Sequence, residues 1–293
     1  MSETGEIETI DAHHHLWRYT AKEYGWIDEE MAALRRDFLP RDLIEAMAAA
    51  GVDGTIAVQA RQTLEETRWL LDQADDCEAI RGVVGWAPIA GEEFPGCMEE
   101  FDGREKLKGL RHVIHDEKDE HYILREDFNS GIRTMAGSGL VYEILIYERH
   151  LEDAIYFVDA HPEQAFVLDH VAKPLIAGGV MEPWASRMME LSERENVWCK
   201  VSGMVTEADW RVKGKAAWTP ETLRPYLDVA VEAFGPERLM AGSDWPVCLL
   251  ASGYAQWFEV LREYFAPFTE MEQGRVFGGT AAEVYGLQGA GWY

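Results

Sequence analysis

The chain has little that would tie it to a membrane, to nucleic acid or to an oxidising compartment. Among its 293 residues are only four cysteines, Cys77, Cys97, Cys199 and Cys248. None stands in a CxxC pair and their density is too low for a disulfide framework, so the expected location is a reducing cytoplasm. Basic residues are scarce: 27 Lys and Arg stand against 53 Asp and Glu, a formal net charge of −26. Nucleic-acid and anionic-membrane surfaces draw on clustered cations, so this balance argues against both and reads as a solvated acidic surface. No stretch approaches the roughly 18 continuous apolar residues of a membrane span. The opening "MSETGEIE" lacks the basic and apolar regions of a secretion signal. There is also no low-complexity tract, no Ser/Pro-rich linker and no solenoid repeat.

What is present is an apolar fraction of 47%, enough for a large core, together with an alternation. Short β-branched and apolar runs recur, each followed by a stretch of helical periodicity. The strand candidates are 7–15, 54–60, 82–89, 108–114, 140–146, 165–171, 197–203 and 238–245. Between them lie helix candidates. "PRDLIEAMAAAG" has Pro40 near its start and Gly51 at its end, and "TLEETRWLLDQADDC" opens on a capping box of Thr63 and Glu66. Others are "RHLEDAIYFVDAH", "EPWASRMMELSEREN", "PETLRPYLDVAVEAFG" and "GYAQWFEVLREYF". Eight βα pairs predict a (β/α)8 TIM barrel, α/β in class, forming one domain over residues 1–293. An open doubly wound sheet would carry a glycine-rich nucleotide loop after its first strand, and there is none.

A barrel of this kind builds its active site from the carboxyl ends of its strands. The first strand ends in His13, His14 and His15, the second in Gln59, the third in Trp86. The fourth carries Arg111, His112 and His115, and the fifth Tyr147 and Glu148. The sixth ends in Asp169, His170 and Lys173, the seventh in Lys200 and Ser202, the eighth in Ser243, Asp244 and Trp245. Six of the nine histidines therefore fall at the ends of strands one, four and six.

In "TIDAHHHLW" (9–17) strand alternation puts Ile10, Ala12, His14 and Leu16 on one face, expected to pack on helices. Asp11, His13 and His15 share the other, which should face the barrel mouth. Two imidazoles so placed can ligate one metal or clamp a polar substrate. Asp244 in "GSDWP" can bind a metal, take a proton from water, or merely form a turn before Pro246. His170 adds an imidazole. Arg111 and Lys200 can orient a polar ligand or form buried ion pairs, and Trp86 can stack on a sugar ring or pack in the core.

With these residues goes a resemblance. His13-x-His15 and Asp244 are similar to the pattern of the amidohydrolase superfamily. "LRHVIHDE", "FVLDHVAKP", "CKVSGMVTEADW" and "RLMAGSDWPVCLLA" resemble its branch of sugar lactonases, the L-fuconolactonase and L-rhamnonolactonase group, over about Ile7 to Leu287. The resemblance implies a cytoplasmic barrel hydrolase that opens an aldonolactone. Asp244 would be the base on water and His170 would polarise the carbonyl or ligate a metal. His13 and His15 would be metal or substrate ligands. From their places at the strand ends, Gln59, Trp86, Arg111, His112, His115 and Lys200 are expected near the substrate. Strand four lacks a bridging lysine or glutamate and strand five lacks histidine, which argues against a two-metal centre. Two readings stay open: one divalent metal, Zn²⁺ foremost, on His13, His15, His170 and Asp244, or a metal-free site. His115 stands where the branch pattern calls for glutamine, which bears on substrate identity. The rival activities are hydrolysis of a non-sugar lactone and metal-dependent decarboxylation of an aromatic acid; a sugar-acid binder without turnover is the rival outside catalysis. The expected partner is a small-molecule substrate, and assembly into a homo-oligomer is compatible with the sequence.

Overall fold

The computed structural model describes residues 8–211 and 218–287. Ile7, where the first expected strand begins, lies outside them. Eight strands form: β1 (Ile10–His14), β2 (Gly54–Val58), β3 (Ile80–Gly85), β4 (Leu107–Val113), β5 (Val141–Leu145), β6 (Phe166–Leu168), β7 (Val197–Val201) and β8 (Leu239–Ala241). Neighbours in sequence are neighbours in the sheet, all parallel. The ring closes just past β8. Asp244 N–H donates to the His13 carbonyl at 2.8 Å, His15 N–H donates to the Trp245 carbonyl at 2.6 Å, and His14 pairs with Trp245 in a parallel bridge.

Helices α1 (Pro40–Ala50), α2 (Leu64–Asp75), α3 (Phe94–Glu100), α4 (Glu126–Met135), α5 (Leu151–Asp159), α6 (Trp184–Ser192), α7 (Pro220–Phe234) and α8 (Tyr254–Phe265) fill the connections. Two short ones, α9 (Glu270–Gly274) and α10 (Thr280–Val284), follow. Their ends are set locally. Pro40 occupies the first turn of α1, Gly51 closes it in a left-handed conformation at φ 61°, and the Thr63 hydroxyl accepts from Glu66 N–H at the start of α2. Among the described residues no helix is long and apolar enough to cross a membrane.

Two apolar layers result. One lies between strands and helices. The other fills the barrel and consists of Ile10, Ala12, Ile56, Val58, Val84, Val141, Val167 and Met240, closed from the amino-terminal side by Ala281 and Tyr285. This corrects the expected faces of β1, because Ile10 and Ala12 point inward. Register explains it: Ile10 pairs with Gly54 and Asp11 with Thr55, but His14 then pairs with Ala57, three steps against two. The extra residue is a β-bulge, and it resets the alternation. His13 and His15 therefore still face inward. His14 shares the outer side with Ala57 and is buried with neither ring nitrogen hydrogen-bonded among the described residues.

Asp11 is turned outward by the same bulge, against the expectation, and is fully buried at the seam. It accepts from Ser243 N–H (2.8 Å), the Ser243 hydroxyl (2.6 Å), the Tyr254 hydroxyl (3.0 Å) and His13 N–H (3.1 Å). Replacing Asp11 by Ala strands these buried donors, and the expected loss of stability is about 3 kcal/mol or more. Urea unfolding measures it; a loss below about 1 kcal/mol would show that the seam closes without this carboxylate.

Candidate active site at the carboxyl end of the barrel

The backbone that carries the candidate site is strained where its side chains leave it. Asp244 sits at φ 57°, and His170, Val171, Ala172 and Lys173 form a left-handed turn with φ of 54°, 46°, 57° and 49°. Non-glycine residues in this region cost about 1–2 kcal/mol each, and such strain collects at functional sites. Lys173 N–H closes the turn on the His170 carbonyl at 2.8 Å. Gly203, after β7, also has a positive φ of 64°, and a Cβ there would lie 2.6 Å from His170 Nδ1. Only glycine leaves room for the ring.

Four polar side chains converge. Asp244 Oδ1 lies 3.3 Å from His15 Nε2, 3.9 Å from His13 Nε2 and 4.0 Å from His170 Nε2. His15 Nδ1 is 2.8 Å from the Val58 carbonyl, so it carries the hydrogen and Nε2 presents a lone pair. His170 Nδ1 meets the Ser202 hydroxyl at 2.8 Å, a partner able to donate or accept. Burial, with Lys200 beside it, holds His13 well below the usual imidazole range, and burial lowers His170 to about 3, so both rings are neutral. Burial pushes Asp244 upward, but the polar rings of His170 and His15 and the ammonium of Lys173 together keep the carboxyl below its ordinary value.

Neutral imidazole nitrogens around an ionised carboxylate oxygen are the donor chemistry of a divalent-metal site. The set His13, His15 and Asp244 fits one such ion, and His13, Asp169 and His170 form an adjoining group. One contact competes. Arg111 Nη1 lies 3.3 Å from His13 Nε2, and His13 can offer that lone pair to a metal only when Arg111 releases it. Beneath, Lys200 Nζ lies 3.2 Å from His13 Nδ1 and 3.2 Å from Asp169 Oδ1, and Arg111 Nη1 donates to Asp169 Oδ2 at 2.8 Å.

Above this cluster opens a cavity of about 390 Å³, within the range of small-molecule sites. His15, Arg111, His115, His170 and Asp244 line it, while His13 lies fully buried below. The other expected substrate contacts are placed elsewhere. Alternation turns His112 away from Arg111, where it accepts from Trp86 Nε1–H (3.2 Å), bonds Glu117 (2.7 Å) and stacks on Tyr122 at 4.8 Å. Trp86 is thereby drawn off the cavity too. Gln59 is fully buried, its side-chain amide donating to the Arg111 carbonyl at 3.3 Å. Lys200 is fully buried between Glu143 and Asp169. Gln59 and Lys200 therefore support the site from below. Also lining the cavity are Tyr147, Lys173, Glu207, Trp26 and Trp210. Tyr147 and Lys173 stood at strand ends, but the others lie on loops that periodicity does not place.

An eight-stranded parallel barrel with a His-x-His pair, a further histidine and an aspartate gathered at its mouth defines a barrel enzyme built to activate water. Residues 10–287 match the amidohydrolase family, and the chain belongs to it. An L-fucono-1,5-lactonase of Burkholderia multivorans is 39% identical over 285 residues, covering 95% of this chain and 96% of the relative. Another, from Burkholderia ambifaria, is 35% identical over 282 residues, 94% of each chain. The crystal structure of a Burkholderia multivorans amidohydrolase with bound zinc superposes with a TM-score of 0.92 at 39% identity, covering 96% of this chain and 100% of that one.

Gly203→Ala tests how tightly the His170 ring is held. Clash and positive φ together should cost roughly 2 kcal/mol in urea unfolding. A variant as stable as the parent would show that the ring has room to move.

Proposed function

We propose that the protein hydrolyses the ester bond of a sugar lactone and releases the open-chain sugar acid. The observation that carries this is the ionised Asp244 on the floor of a small-molecule cavity, within 4.0 Å of three imidazoles, in a chain 39% identical to an L-fucono-1,5-lactonase. Asp244 takes a proton from water as the water oxygen attacks the lactone carbonyl. Negative charge gathers on the carbonyl oxygen. With the Ser202 hydroxyl donating to Nδ1, His170 presents Nε2–H to it, a contact of the kind worth about 3–4 kcal/mol in the transition state. The C–O bond of the ring then breaks, and Asp244 returns the proton to the leaving alkoxide.

With a divalent metal bound, His13, His15 and Asp244 would hold it and His170 would offer its Nε2 lone pair in place of the Nε2–H contact, Nδ1–H then donating to the Ser202 hydroxyl. Zn²⁺ suits the ligand set and when bound supplies Lewis-acid polarisation and a more acidic water. Ser202, Val58 and Arg111 set which lone pairs those residues offer. Cytoplasmic placement belongs to the same proposal and is supported by four buried, unpaired cysteines.

Asp244→Asn keeps the shape and removes the base. Turnover of a lactone panel (L-fucono-, D-arabinono-, L-rhamnono- and L-galactono-) should fall by about 10³-fold or more with KM little moved; wild-type turnover by this variant would sink the assignment. Running the panel before and after chelation, with metal content measured, tests the ion. Loss of rate and its return on adding Zn²⁺ is expected. A rate untouched by complete removal would assign carbonyl polarisation to His170 alone.

A further inference from the structure

We infer that Lys173 and Glu207 form a hydroxyl-recognition pair that makes the site select polyhydroxylated lactones; the inference rests on the lactonase reading above. Both residues line the cavity, and Lys173 Nζ donates to Glu207 Oε1 at 3.0 Å with 17% and 20% of the side chains exposed. They arrive from different strands. Lys173 ends the left-handed turn after β6, and Glu207 closes the short turn Met204–Thr206 after β7.

A purely structural tie between these loops does not account for the pair. The backbone already makes that tie, since Ala177 N–H donates to the Glu207 carbonyl at 3.0 Å. Nor does holding the loop require four non-glycine residues in left-handed backbone, at about 1–2 kcal/mol each. What the turn achieves is placement. Residues one helical turn apart share a side, so His170 and Lys173 reach the same cavity.

Valence gives the pair its chemistry. An ammonium has three N–H donors, and among the described residues Glu207 is the one hydrogen-bond partner of Lys173 Nζ. Among the described residues two donors and the second carboxylate oxygen of Glu207 are left for a ligand. A hydroxyl both donates and accepts, so adjacent hydroxyls can accept from Lys173 and donate to Glu207.

Charge balance sets the ligand class. Among the described residues each Lys or Arg lining the cavity is paired with a carboxylate: Arg111 with Asp169 at 2.8 Å (an acid it shares with Lys200), Lys173 with Glu207 at 3.0 Å, and Arg211 with Glu30 at 2.8 Å. That every lining Lys or Arg among them is already paired suits a neutral polyol ring. Trp26 and Trp210 line the same cavity and add aromatic faces for the C–H side of such a ring.

The test uses the full-length protein with Lys173→Met and Glu207→Gln, each checked for its melting transition. kcat/KM is measured on L-fucono-1,5-lactone and on δ-valerolactone, which has the ring without hydroxyls. The ratio between the two substrates should fall about 100-fold in K173M and about 10-fold in E207Q, mainly through KM on the sugar lactone. The double variant should be no worse than the poorer single one, because the two groups act together. Equal proportional losses on both lactones, or no loss, would overturn the inference. Should K173M fail to fold, E207Q on the other loop carries the same comparison.

Calorimetric titration with L-fucitol, a neutral open-chain polyol, separates the two readings. If no lactone is turned over but K173M still weakens fucitol binding at least tenfold, the hydrolytic reading fails and the recognition pair stands. If the parent and K173M bind fucitol alike, or neither binds it, the pair is refuted whatever the activity.

Discussion

Two backbone hydrogen bonds, Asp244 N–H to the His13 carbonyl and His15 N–H to the Trp245 carbonyl, join the last strand to the first. Every other strand pairs with its neighbour in sequence, a short-range outcome of the βα repeat. This seam is the one pairing that spans the whole chain, and the residues that make it are those that carry the site. The candidate site therefore comes together when the barrel closes. Asp11, placed behind the seam by the bulge, ties Ser243 and Tyr254 to β1 and makes that closure specific.

The floor of the site shows what such placement costs. Glu143, Lys200, Asp169 and Arg111 are all buried in the barrel, where unpaired charge would be prohibitive. They survive by pairing: Lys200 lies between Glu143 and Asp169, Arg111 donates to Asp169, and Tyr285 donates to Glu143 from below. An apolar layer of the same volume would often be no less stable. The charged layer instead borders His13 with a cation and an anion, Lys200 at 3.2 Å and Asp169 at 3.4 Å, and so holds the ring in place. The left-handed backbone at Asp244 and at His170–Lys173 is a second cost of the same kind, paid at the mouth of the barrel.

Much of this was legible in the chain itself. All eight strands lie where β-branched and apolar runs were read, and the caps at Pro40, Thr63 and Gly51 act as their residue types predict. Helices α3 and α4 escaped the periodicity, one for its seven residues, the other for Asn129, Ser130 and Gly131 in its middle. Gly131 is there because a Cβ would meet the Ile89 carbonyl at 2.0 Å, a tertiary reason invisible in the local pattern. Strand ends also supplied every member of the His13, His15, His170 and Asp244 cluster. They did not tell which of the remaining polar ends reach the cavity. His112 and Arg111 are adjacent in sequence and face opposite ways, and Gln59 and Lys200 sit a layer too deep.

The sequence by itself determined the eight-fold repeat and the short list of ligand-type residues, because periodicity, capping and residue chemistry are local properties. Tertiary structure decided the rest. The phase of "TIDAHHHLW" is the plainest case: pleat alternation alone would place Ile10 with His14, but pairing to β2 inserts a bulge that turns Ile10 and Ala12 inward while keeping His13 and His15 there. Register belongs to two strands rather than one, and ring closure fixes it. The same holds for Lys173 and Glu207, which are 34 residues apart along the chain and 3.0 Å apart across the cavity wall.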